Sequence, residues 1–229
     1  MIEMKFLKFM FDSAIKAALE AGKNIMKTYN AGEQYNVNLK SDNTLIIEAD
    51  KISHETIRKC LLKTRIPLMS EEGRDILFEE RYGWDLYWLI DPIDGTLEFV
   101  NKNNEFSICI ALMEENKPMM GIIVAPAFKQ LYYAIRGTGA YKIENIDFSA
   151  DAHHDIDKLL ESAVRIECNK ELPKEELIIL TTLSNPNIET ERMVADLSKR
   201  FPKVDRRRYG SALKFCRMAE GVAHLYFRT

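Results

Sequence analysis

Hydrophobic positions change their period several times along the chain, and each change marks an element. From Phe6 to Tyr29, Leu7, Met10, Ala14, Ala17, Ala18, Ala21 and Ile25 recur at helical spacing with Lys and Glu between them. That pattern predicts an amphipathic helix. Gly22 weakens it slightly and permits close packing. Residues 31–42 are polar and turn-rich. A second helix is predicted from about Ala49 to Lys63, with Ile52, Ile57, Leu61 and Leu62 on its buried side. The period then shortens. Pro67-Leu68-Met69 reads as a strand leading into Ser70-Glu71-Glu72-Gly73, and the charged stretch Arg74 to Asp85 as a surface excursion.

Leu86 to Ile90 is predicted to be a strand that stops at Asp91-Pro92. Three more strands are expected at Phe106–Glu114, Met119–Val124 and Leu131–Ile135. Asn116-Lys117-Pro118, Pro126-Ala127 and the Gly-punctuated stretch Gly137–Ala140 read as turns. In the second half, Leu177–Thr182 is strand-like and Ile188–Phe201 helical. Ser211–Glu220 is a short helix after Gly210, and Ala223–Phe227 a last strand. Helices and strands interleave without a repeat or a long linker, which predicts an α/β (α+β) layered architecture. The division falls near residue 136, giving an N-terminal α+β part (1–136) and a C-terminal α/β part (137–229).

Composition narrows the function classes. The chain has 229 residues, 46% hydrophobic and 29% charged, an ordinary globular balance. A net charge of −3 gives no electrostatic reason to bind nucleic acid. The longest apolar runs, such as Ile108–Met113, are too short for a membrane span. The start Met1-Ile2-Glu3-Met4-Lys5 lacks the layout of a signal peptide, so a cytoplasmic protein is expected. Cys60, Cys109, Cys168 and Cys216 are scattered, without a Cys-x-x-Cys pair; all four are expected to be reduced, semi-buried apolar residues. His153-His154 and Arg206-Arg207-Arg208 read as solvated surface, and Trp84 and Trp88 as core. The arginine run keeps open a second reading, attraction of a phosphate.

The chemistry concentrates at Asp91-Pro92-Ile93-Asp94-Gly95-Thr96. An apolar strand delivers Asp91, Pro92 turns the chain, and Asp94 follows closely enough for a tight turn to aim both carboxylates at one point. Gly95 allows unusual backbone angles. Taken alone, the stretch reads equally well as a solvated Asp-Pro and Asp-Gly turn. Other acids shift the balance: Glu71 and Asp50 also end short apolar runs. Gathered carboxylates repel one another and lose hydration, at a cost of several kcal/mol each, unless cations compensate. Oxygen ligands of this kind suit Mg²⁺. Thr96 and Asp50 would then orient a water and take its proton.

With Ala49-Asp50 and Ser70-Glu71-Glu72, the Asp91–Thr96 motif resembles the signatures of the inositol monophosphatase superfamily. Within it, Glu98-Phe99, Asn104-Glu105-Phe106, Gly210-Ser211-Ala212-Leu213-Lys214-Phe215-Cys216 and Ala219-Glu220-Gly221 resemble the CysQ-like 3'(2'),5'-bisphosphate nucleotidase branch. The resemblance implies a layered α-β-α-β-α sandwich of the inositol monophosphatase and fructose-1,6-bisphosphatase type, with the metals held by the N-terminal part. It also implies a Mg²⁺-dependent, lithium-sensitive phosphatase of sulfur metabolism using two or three ions. The substrate would be a bisphosphate nucleotide, 3'-phosphoadenosine 5'-phosphate. An inositol or sugar monophosphatase is the alternative of the same class.

By the same resemblance, Glu71, Asp91, Asp94 and the Ile93 carbonyl are the metal ligands. Asp50, Thr96 and Glu71 form the catalytic set. The substrate meets Glu71, Ile93, Asp94, Gly95, Thr96, Gly210, Ser211 and Lys214. Gly210-Ser211 has a second rationale, because amides that open a helix favour an anion; a plain Ser cap with a solvated lysine is the other reading. Homodimers are common in the superfamily.

The chain departs from the family pattern in places. Relatives continue past the position of Thr229 into a Trp-Asp motif whose Asp is a further metal ligand. The expectation is therefore a chain truncated at its C-terminus, or a weakened phosphatase that binds nucleotide or phosphate. Thr44–Asp50 lacks the Pro and Thr usual before Ala-Asp, Leu97 replaces a common Lys, and Asn185 stands where a His is frequent.

Overall fold

The alanine-rich stripe of the first segment makes helix α1 (Met4–Asn30) and lets it lie close on a sheet. Met10, Ala14, Ala17, Ala18, Ala21 and Ile25 are almost completely buried. Gly22 is part of this contact: a Cβ there would come within 2.6 Å of Cε1 of Phe148. The computed structural model describes residues 4–31, 38–39, 45–46, 48–182 and 187–227. Thr44 and Asn185, where the sequence departs from the family pattern, lie outside them. Strands β1 (Asn38–Leu39) and β2 (Leu45–Ile46) form a small antiparallel pair. Helix α2 (Glu48–Leu61) packs beside α1. It closes in a 3₁₀ turn over Leu62–Thr64, which throws Leu62 outward, so that its side chain is 59% exposed rather than buried as expected.

Seven strands form the main sheet: β3 (Leu68–Ser70), β4 (Leu86–Asp94), β5 (Ser107–Glu114), β6 (Lys117–Ala125), β7 (Gln130–Ile135), β8 (Gly139–Ile143) and β9 (Val164–Ile166), in that order. Only the β3–β4 pairing is parallel. The excursion between them is exposed apart from Ile76 and Trp84, and holds one turn of helix, α3 (Phe78–Arg81). Trp84 is only half-buried, whereas Trp88 is fully buried and donates its indole N–H to Thr64 Oγ1 at 3.0 Å. Burial alternates along the central strands: Ile108, Ile110, Leu112, Met120, Ile122 and Val124 face the core shared with α1 and α2. Strand β8 lies in a stretch read as a turn. Gly137 and Gly139, both with positive φ, make the hairpin, and the strand starts at once after it.

The second unit of structure is a parallel three-stranded sheet. Strand β10 (Glu176–Thr182) lies between β11 (Lys203–Tyr209) and β12 (Leu225–Tyr226). Helix α5 (Ile156–Glu161) precedes it, α6 (Ile188–Arg200) joins β10 to β11, and α7 (Leu213–Ala219) joins β11 to β12. Strand β11 carries Arg206-Arg207-Arg208, expected as solvated surface. Two of the three are engaged: Arg206 pairs with Glu191 at 2.7 Å and donates to Thr181, and Arg207 pairs with Asp205 at 2.8 Å. His153 is exposed, and His154 Nε2 sits 2.7 Å from the Asp147 carbonyl oxygen. All four cysteines are free, and Cys168 is exposed rather than semi-buried.

Candidate active site

Strand β4 does not stop at Asp91-Pro92. It runs on to Asp94 through a register shift. Asp91 faces Cys109 and Asp94 faces Ser107, so β4 spends three steps where β5 spends two. Strand residues three apart ordinarily point to opposite faces. The extra residue resets the alternation and brings both aspartates to one face, that of Cys109 and Ser107. Pro92, which has no N–H to pair, sits in this bulge, and Ser53 Oγ of α2 donates to its carbonyl at 2.7 Å. The two carboxylates thus share a face through a bulge rather than a tight turn.

Four acidic groups meet electrostatically here. Asp91 is largely buried, and its Oδ1 has no hydrogen-bond partner among the described residues. Its pKa is pushed up to about 8, by burial first and then by the charges of Asp94, Glu71 and Asp50. Asp94 is also raised, chiefly by burial, although the Ala212 amide, Lys214 and Ser211 pull the other way. Glu71 continues β3 at the site's exposed edge, its N–H donating to the Ile90 carbonyl at 3.1 Å. Asp50 lies in the first turn of α2 and is 2% exposed. Gly95, with φ of 92°, caps the five-residue helix α4 (Thr96–Val100), and Thr96 Oγ1 donates to the Ile93 carbonyl at 3.4 Å. An open cleft of about 550 Å³ runs from Glu71 and Asp91 along the sheet past Leu89, Cys109 and Ala111.

The residues fit hard cations. A buried carboxylate oxygen without a donor, ringed by like charges, is a poor arrangement for a metal-free interior and a good one for an oxygen-seeking ion. The site is open rather than a closed cage. No group of three or more His, Cys, Asp or Glu side chains among the described residues is already drawn up as a metal centre.

The second half of the chain meets this site at Gly210–Lys214. Helix α7 begins only at Leu213 with Ala212 as its N-cap, and Ser211, expected as its first residue, stands before it with a left-handed φ of 51°. The amides expected to be free for an anion are occupied: Gly210 N–H donates to Glu105 Oε2 at 2.6 Å, and Ala212 N–H to Asp94 Oδ2. Ser211 Oγ lies 2.8 Å from Ser107 Oγ, and the buried Lys214 donates to the Ser211 carbonyl. Gly210 is required by this fit, since a Cβ would fall 2.6 Å from Cγ of Glu98. Sequence reading named Asp50, Glu71, Asp91, Ile93, Asp94, Gly95, Thr96, Gly210, Ser211 and Lys214. It gave no structural role to Ser53, Glu105 or Ser107. Only Glu105 carried a signal, in Asn104-Glu105-Phe106.

The inositol monophosphatase family profile matches residues 7–229. The 3'(2'),5'-bisphosphate nucleotidase CysQ of Buchnera aphidicola is 36% identical over 221 residues, 96% of this chain and 75% of that protein. The protein of the same name from Salmonella typhimurium is 32% identical over 221 residues, 96% of this chain and 80% of its own. The crystal structure of CysQ from Bacteroides thetaiotaomicron, a bacterial member of the inositol monophosphatase family, superposes with a TM-score of 0.80 at 36% identity, covering 96% of this chain and 80% of that one. With the family profile matching residues 7–229 and relatives of 32% and 36% identity over 96% of its length, the chain belongs to the inositol monophosphatase family.

Proposed function

We propose that this protein is a Mg²⁺-dependent phosphatase that hydrolyses the 3'-phosphate of 3'-phosphoadenosine 5'-phosphate, leaving AMP. The observation that carries the reading is the buried, donor-less Asp91 Oδ1 set among the charges of Glu71, Asp94 and Asp50. The relatives named 3'(2'),5'-bisphosphate nucleotidase support the substrate class. Asp91, Glu71, Asp94 and the Ile93 carbonyl would hold two or three Mg²⁺ ions. When bound, Mg²⁺ supplies neutralisation of phosphate and leaving-oxygen charge and a lowered pKa for the attacking water.

The chain's own residues do the rest. Thr96, turning its hydroxyl from the Ile93 carbonyl, orients the water, and Asp50 with Glu71 accepts the proton. Asp50 suits this role because it is buried and anchored on a helix. Gly95 and Thr96 meet the phosphate through their backbone at the start of α4. Gly210, Ser211 and Lys214 form the opposite wall, where the lysine supplies a fixed positive charge to an anionic substrate.

Phosphate release measured across a panel tests this. The bisphosphate nucleotide with Mg²⁺ is expected to be the preferred substrate, and Li⁺ to inhibit. Faster release from an inositol or sugar monophosphate would move the protein to that class. Nucleotide binding by calorimetry with no release at all would make it a binding protein.

A further inference from the structure

Helix α7 follows directly on Gly210-Ser211-Ala212, the stretch tied to Glu105, Ser107 and Asp94. Its other end is held by a side-chain cluster that the proposed chemistry does not use. Glu220, the C-cap of α7, presents its carboxylate to three groups. Tyr132 Oη lies 2.9 Å from Oε1, Arg217 Nη1 donates to Oε1 at 2.8 Å, and Lys142 Nζ donates to Oε2 at 2.8 Å. Tyr132 stands on β7 and Lys142 on β8, so the cluster joins the small helix to the large sheet. It is shielded from water: the side chains of Glu220, Lys142 and Arg217 are 12%, 13% and 16% exposed, and Tyr132 is buried. Burial raises the Tyr132 phenol above its ordinary pKa, so it stays protonated.

Buried ion clusters add little net stability against an apolar replacement, because desolvation offsets the Coulomb gain. They do penalise every arrangement that leaves one member unpaired. Burial of Leu213 and Cys216 and the edge-on contact of Phe215 with Tyr226 hold the body of this seven-residue helix, and the Glu220 cluster adds a polar tie from its far end to the large sheet. Glu220 sets one end on the sheet, and the other end, about 12 Å away along the helix, delivers the Ala212 amide to Asp94.

We propose that Glu220 is a positioning residue, the anchor that holds α7 on β7 and β8 so that Ser211, Ala212 and Lys214 stand correctly against Asp94. It touches no reacting group. Its effect on turnover rests on the phosphatase reading; its effect on the Gly210–Cys216 segment does not.

The test pairs backbone amide hydrogen exchange with kinetics for Glu220→Ala and Glu220→Gln. In Glu220→Ala, exchange across residues 210–216 should quicken by about tenfold or more, while strands 107–125 keep the parent's rates. KM for the bisphosphate nucleotide should rise by about fivefold or more, with kcat changing less. Glu220→Gln, which keeps the shape and an acceptor oxygen, should recover part of both. Unchanged exchange at 210–216, or an increase shared equally by 107–125, overturns the anchor. If Glu220→Ala does not fold, Tyr132→Phe and Glu220→Gln carry the same comparison. Should the parent protein release no phosphate, the phosphatase reading fails, and the exchange pattern still decides the anchor.

Discussion

At the scale of single residues, Asp91 dominates. Without metal its folded pKa stands near 8, against an ordinary value of 3.8, so the folded chain holds a proton there that the unfolded chain has already lost. The sign follows from linkage. The contribution of Asp91 to stability is fully present below about pH 4 and is lost as pH rises towards 8. Metal-free protein should therefore lose melting temperature from this group across that window. Mg²⁺, which displaces the proton, should bind more weakly as pH falls below 8; a Mg²⁺ titration followed by thermal melts at pH 6 and pH 8.5 checks both. Saturating Mg²⁺ should raise the melting temperature of the parent by about 5 °C or more. Asp91→Asn should abolish phosphate release and this Mg²⁺-induced shift together, with the metal-free melt no lower than the parent's. A variant that kept either one would remove Asp91 from the metal set.

At the scale of elements, two glycines bring the halves of the site together. Gly210→Ala would drive a Cβ into Glu98 and the Glu105 carbonyl, at 2.6 and 3.1 Å. Overpacking of this kind costs about 1–3 kcal/mol, and urea unfolding should show it. Gly95→Ala adds the strain of a positive φ to contacts of 3.0 Å with the Glu105 carbonyl and Cβ of Ser211. It should impair activity more than stability, because α4 begins there. The long elements were legible in the sequence because their periodicity spans many residues: α1, α2, β4 to β7, β10 and α6 all appear within a few residues of expectation. What escaped was set by partners far along the chain. Strand β8 hides behind two glycines, β11 behind a run of arginines, and the β4 bulge behind a proline that reads as a stop. The acidic residues could be named in advance. Their common face could not, because it depends on register with β5.

At the scale of the whole molecule, a large mostly antiparallel sheet backed by α1 and α2 carries most of the named acids, and the small parallel sheet delivers the wall opposite. No helix among the described residues is long and apolar enough to cross a membrane. The hydrogen bond from Ala212 to Asp94 joins residues 118 positions apart. A contact that distant closes late, after local helices and hairpins have formed. In refolding from denaturant, far-UV circular dichroism should recover before any enzymatic turnover does, and the interval between them should lengthen when Ser107→Ala removes a neighbouring tie. The wall carrying Lys214 is then the last piece to arrive, so a nascent or partly opened chain would keep its helices and hairpins while remaining catalytically silent.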